Sequence, residues 1–276
     1  MGLIEEYLDE LRSMGRSEET IRYTRTTLHQ ADRADQFELG LCLASRNEVQ
    51  AWLRRPTRGG KRLAPNTLAN NFDRLRGFFR WAHGQGKLDW DPMASLTPPG
   101  RPKGVPRPVT DDQLALIVAS VRHAIRIAAL LAAWEGMRAG EIARIDREDI
   151  TPGGVIVYGK GGRQRVVPTH PLVAAEVASL APGNLMAQLG VRPAAQAVTS
   201  TSGYEFGKLG LDVTLHQLRH WFATTLINAG WSTRVVQVLL GHASVATTEV
   251  YTEVAGHNLG QAVAGLPSLG LDGPAT

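Results

Sequence analysis

The chain has 276 residues, 43% of them hydrophobic and 20% charged, with a formal net charge of +4; that length suits two globular domains and that composition excludes an intrinsically disordered protein. Its single cysteine, Cys42, excludes an internal disulfide framework and a cysteine-built zinc site. No apolar run approaches the roughly 18 residues of a membrane span, and the opening Met1-Gly2-Leu3-Ile4-Glu5-Glu6 has neither a signal peptide's basic start nor a myristoylation Ser/Thr, so a cytoplasmic protein without membrane contact is expected.

The first hundred residues read as helices. Leu3, Tyr7, Leu8 and Leu11 recur at helical spacing, residues 20–28 suggest a second helix and residues 48–53 a short third. A basic loop broken by Gly59-Gly60 follows, and Pro65 opens a helix over residues 66–83 whose apolar stripe is Leu68, Phe72, Leu75, Phe78, Phe79 and Ala82. Phe78, Phe79 and Trp81 read as core, not as base-stacking residues. Nine lysines and arginines stand against one acid, Asp73, between Val49 and Lys87. A surface that tracks phosphates needs such a field, because each neutralised phosphate releases counterions; a solvated Arg-rich face is the alternative.

The Pro/Gly-rich, basic stretch from Pro98 to Pro106 reads as a linker. The expected organisation is a helical domain over residues 1–98, a linker over 99–108 and a second domain over 109–276. In the second domain Thr110 and Gln113 form a capping-box pattern, an Ala/Leu-rich helix covers residues 122–134, and another begins near Ala139. Val155-Ile156-Val157-Tyr158 and Arg165-Val166-Val167 flank Gly159-Lys160-Gly161-Gly162 as a hairpin. Residues 181–212 are poorly patterned, with room for one helix. From Leu215 onward the chain reads as helical, including an apolar spacing at Leu259, Val263 and Leu266. The fold class is therefore mainly α with a small β-hairpin, all-helical in the first domain and mixed α+β in the second.

The second domain also carries the reactive side chains: Arg138 with Glu141 three residues on, Lys160 at the hairpin tip, His216 and Arg219 at a helix start, His242 after Leu239-Leu240-Gly241, and Tyr251. Singly, each has a plain structural reading, as an ion pair, a solvated turn, a cap or a packed ring. In order, Glu135-Gly136-Met137-Arg138-Ala139-Gly140-Glu141-Ile142, Gly159-Lys160-Gly161, His216-Gln217-Leu218-Arg219-His220, Leu240-Gly241-His242 and Tyr251 resemble the tyrosine recombinase (phage integrase) family. Upstream, Asn66-Thr67, Leu75-Arg76-Gly77-Phe78-Phe79-Arg80-Trp81 and Asp91-Pro92 look like that family's DNA core-binding domain.

The resemblance implies a site-specific DNA recombinase that cuts and rejoins strands through a 3′-phosphotyrosine. Positioned cations stabilise the negatively charged transition state of phosphoryl transfer, and arginine's planar fork suits that task. By resemblance Arg138 and Arg219 form the clamp and His242 adds a donor. Tyr251 is the nucleophile, His216 takes its proton, and Lys160 protonates the leaving 5′-oxygen, while Glu141 buttresses Arg138. Neither cofactor nor metal is implied. Candidate DNA contacts are Arg54, Arg55, Lys61, Arg62, Asn66, Thr67, Arg74, Arg76, Arg80, Arg101 and Lys103.

The implied partners are double-stranded DNA carrying attachment-type core sites, a homotetramer on synapsed DNA formed from free monomers, and a host DNA-bending protein. Because the core-binding pattern begins almost at Met1, no separate arm-binding domain is expected, and the tail helix is expected to dock on a neighbouring protomer. Integration and excision of a phage or mobile element is the leading biological reading. Chromosome-dimer resolution, a type IB topoisomerase-like activity and a catalytically inactive DNA-binding regulator are the alternatives. Residues 154–160 mimic the start of a P-loop, but Gly161 stands where Ser or Thr is needed, so nucleotide hydrolysis is rejected.

Overall fold

Among the described residues, four α-helices and one 3-10 turn, Leu41–Leu43, build the first unit, Met1–Gly104, of the two into which the chain divides. The computed structural model describes residues 2–57, 59–101, 107–159, 164–241 and 259–271. Helices α1 (Leu3–Ser13), α2 (Glu18–Asp32), α3 (Arg46–Arg54) and α4 (Pro65–Gly84) start where the local chemistry dictates. Ser17 caps α2, Ser45 and Glu48 form a capping box on α3, and Pro65 occupies the first turn of α4. The stripes read from the sequence converge on one core around Leu8, Leu28, Trp52, Leu75, Phe78 and Phe79. Trp81 is only half-buried and lies at its margin. Gly77 lets α1 and α4 approach, since a Cβ there would lie 2.6 Å from the Tyr7 hydroxyl.

The second unit, Val105–Thr276, is built around α6 (His123–Ala133), preceded by α5 (Asp111–Ser120). Alanines let α6 be buried all round, from Ala124 to Ala133 with Arg126 the main interruption. After the one-turn helix α7 (Ala139–Ile142) comes an antiparallel sheet of β1 (Ile150–Thr151), β2 (Gly154–Tyr158) and β3 (Gln164–Val167), in that spatial order. The register pairs Val155 with Val167 and Val157 with Arg165, so Arg165 shares the buried face with three valines. The sequence indicates two of these strands; β1 is too short to carry a pattern.

Among the described residues, helices α8 (Pro171–Val177), α9 (Leu185–Gln188), α10 (Ala195–Lys208), α11 (Leu215–Asn228), α12 (Thr233–Leu240) and α13 (Leu259–Ala264) follow. Residues 181–212 thus hold two helices, not one. The tail packs on its own unit. Ala262, Val263 and Leu266 are buried in the core of their own unit, and Trp134 Nε1 donates to the Pro267 carbonyl at 3.2 Å. The apolar face of α13 therefore packs within the chain.

Candidate active site

Gly136 ends α6 with φ +60°, a left-handed conformation that disfavours any side chain, and a Cβ there would sit 2.8 Å from the Phe222 ring of α11. This sharp turn aims the next residues at α11. Arg138 then stands at the N-cap of α7, where its backbone N–H donates to Glu141 Oε2 at 2.8 Å and its Nη1 to Oε1 at 3.0 Å. On α11, Thr214 and Gln217 form a capping box, which fixes the first turn bearing His216 and Arg219.

Glu141, 5% exposed, is the hub. Arg165 of β3 grips both its oxygens with Nη1 and Nη2 at 2.9 Å each. Arg219 Nη1 lies 3.7 Å from Oε2. Three guanidinium groups from three elements therefore surround one carboxylate, and the cluster keeps a surplus of positive charge. Burial alone would raise the Glu141 carboxyl, but the hydrogen bonds and charge of Arg165, the Arg138 N–H and the charge of Arg219 outweigh it and hold it at about 2.

Arg219 is buried, and its Nη1 and Nη2 donate to the carbonyls of Gly136 and Leu240, the latter at 2.9 Å. Burial, then the charge of Arg138, lowers it to about 9, so it remains a cation at neutral pH. Arg165 Nε donates to the Leu239 carbonyl at 2.9 Å. The last turn of α12, whose carbonyls lack helical partners, is thus held by two arginines. Arg138, by contrast, keeps 45% of its side chain exposed and can meet a ligand.

His216 lies one turn from the Arg219 guanidinium and edge-on to His220, with ring centroids 4.4 Å apart. Partial burial, His220, Arg219 and Arg138, in that order, lower its pKa from the ordinary 6.5. Arg138, Glu141, His216 and Arg219 are therefore together. Lys160, His242, Tyr251 and Lys103 lie outside the described residues. Arg165 was missed by sequence reading, although one signal for it exists: in the predicted hairpin it falls on the same face as Val167. Glu135, also unassigned, is fully buried and accepts the His170 N–H at 2.8 Å with Oε1, while Oε2 has no hydrogen-bond partner among the described residues. Burial raises its pKa well above the usual range.

In the first unit Arg54, Lys61, Arg62, Asn66, Thr67 and Arg80 are exposed, and the four cations among them have no ion-pair partner among the described residues. The other candidates are engaged within the chain. Arg55 stacks 3.5 Å from the Trp52 ring centre, Arg74 donates to Thr27, Arg76 pairs with Asp73, and Arg101 with Asn70 and Asp73.

Residues 108–257 match the model of the phage integrase family. The tyrosine recombinase XerD of Shewanella oneidensis is 31% identical over 280 residues, covering 92% of each chain. Among solved structures, the integrase from mycobacterium phage Brujita is 26% identical, with a TM-score of 0.53 over 96% of this chain and 92% of its own. A lambda integrase tetramer bound to a Holliday junction is 20% identical, with a TM-score of 0.63 over 90% and 77%.

Proposed function

Because the chain belongs to the phage integrase family of tyrosine recombinases, enzymes that cleave and rejoin DNA, we propose that it is a site-specific recombinase using Tyr251 as nucleophile and Arg138 and Arg219 as the phosphate clamp. The observation that carries this reading is the meeting of Arg138 and Arg219 on the single Glu141 carboxylate, with His216 on the same helix turn as Arg219.

In this mechanism the Tyr251 oxygen attacks the scissile phosphorus while the bond to the 5′-oxygen breaks. The phenol proton passes to His216, whose lowered pKa keeps it neutral and able to accept. Lys160 delivers a proton to the leaving 5′-oxygen, and His242 donates to a non-bridging oxygen. The guanidinium groups stabilise charge that builds only in the transition state. The ester conserves the bond energy, so a second 5′-hydroxyl reverses the step and no nucleotide is consumed.

The first unit binds the duplex. Arg54, Lys61, Arg62 and Arg80, without an ion-pair partner among the described residues, are its best phosphate contacts, with Asn66 and Thr67 as further candidates. Synapsis as a tetramer is supported by the fold shared with the junction-bound lambda integrase. Integration and excision of a mobile element is the biological role, supported by the likeness to the phage Brujita integrase across nearly the whole chain. A second reading, chromosome-dimer resolution, has the extent of the similarity to the XerD relative in its favour.

A duplex nicked near the cleavage site tests the chemistry. Wild type should accumulate a covalent protein–DNA adduct, Tyr251→Phe none, and Arg138→Ala about 10²–10³-fold less per unit time; adduct formed by Tyr251→Phe would sink the assignment. Sequencing the trapped DNA separates a mobile-element attachment site from a chromosomal one. Relaxation of plasmids lacking any site would instead indicate a topoisomerase.

A further inference from the structure

A carboxylate beside two catalytic cations is a hazard as well as a support. Glu141, left to itself in a buried site, would draw Arg138 and Arg219 onto its own oxygens and spend on itself the attraction they owe to a phosphate. Arg165 stands against this. It is buried, comes from the sheet, and makes three hydrogen bonds of 2.9 Å: two to Glu141 and one to the Leu239 carbonyl. Its place is built in from the far side as well. Gly241 has φ +64°, and a Cβ on it would lie 2.8 Å from Arg165 Cδ. The cluster therefore counts three cations against one anion, and Arg165 is the one of the three that bonds both Glu141 oxygens.

We propose that Arg165 is a positioning residue of the reaction: it satisfies the Glu141 carboxylate so that the charges of Arg138 and Arg219 stay available to the scissile phosphate. This rests on the reading of those two arginines as the clamp. The charge count makes it testable. Arg165→Met removes one positive charge from the cluster and lets Glu141 compete for the clamp. Arg165→Met with Glu141→Gln removes one charge of each sign and restores the original net charge. A buried pair replaced as a pair often leaves stability little changed, whereas loss of one partner strands a buried charge.

On the nicked duplex, Arg165→Met should form adduct about 100-fold more slowly than wild type, the scale for losing effective electrostatic support, with DNA affinity unchanged within about threefold. The double variant should recover to within about tenfold of wild type. A folded double variant as slow as Arg165→Met, or Arg165→Met as fast as wild type, overturns the proposal. If Arg165→Met does not fold, the double variant alone decides: a rate within about tenfold of wild type supports the proposal, and one slower than that overturns it. Inorganic phosphate supplies a second readout independent of Tyr251: it should raise the melting temperature of wild type and the double variant equally, and that of Arg165→Met less. Equal shifts in all three overturn the proposal. A wild type that forms no adduct yet shows this phosphate pattern would sink the recombinase chemistry and leave the role of Arg165 standing.

Discussion

Two side chains beside the arginines have protonation states with measurable consequences. In the proposed mechanism His216 must be neutral to accept a proton, and its surroundings shift its pKa downward from 6.5. The cleavage rate should therefore hold steady from neutral pH down past 6.5 and fall only in more acidic buffer; a fall that begins above pH 7 would remove His216 as the base. Glu135 behaves in the opposite sense. Its folded pKa is raised above the ordinary 4.5, so stability is intact below about pH 4.5 and is lost as pH climbs toward the folded value, because only the unfolded chain ionises freely. Glu135→Gln removes that loss. It should melt several degrees higher than wild type at pH 8 and no higher at pH 4; equal melting at both would show that Glu135 is not held neutral.

At the scale of elements, the arginines of α3, α4 and the loop between them divide by what already holds them. Arg55 lies on the Trp52 ring, and Arg55→Ala should cost about 0.5–1 kcal/mol of stability. Arg62→Ala should leave melting unchanged, weaken binding to all duplexes alike and lower the salt slope by about 1; no change in slope would exclude a phosphate contact. The same contrast explains what the amino-acid pattern could reveal. Elements with a strong local signal were legible: the Thr110/Gln113 box, the Pro65 start, the Gly136 break. Helix α10 was not, because its buried stripe is Val198, Ser202 and Phe206, a serine between two apolar residues on a helix rich in Thr, Ser and Gly. Arg138, Glu141, His216 and Arg219 were legible as a motif. Arg165 was not read, although its alternation with Val167 puts it on the apolar face of β3, because only the register sets it opposite Val157 in the core.

For the molecule as a whole, the described side chains form two separate hydrophobic cores, one in each unit. Residues 105–276 produced alone should unfold in a single cooperative transition, and Leu75→Ala, about 2–5 kcal/mol in a core site, should destabilise the first unit without touching the phosphate response of the second. Calorimetry of the intact chain and the fragment checks both. The anchors at either end of the stretch from His242 to Asn258 have a further consequence. Before it, the carbonyls of Leu239 and Leu240 are gripped by Arg165 and Arg219; after it, Val263 and Leu266 are buried and Pro267 is held by Trp134. The stretch that carries Tyr251 thus leaves from and returns to the same unit, the one that holds Arg138 and Arg219, so in the proposed mechanism nucleophile and clamp belong to one folding unit.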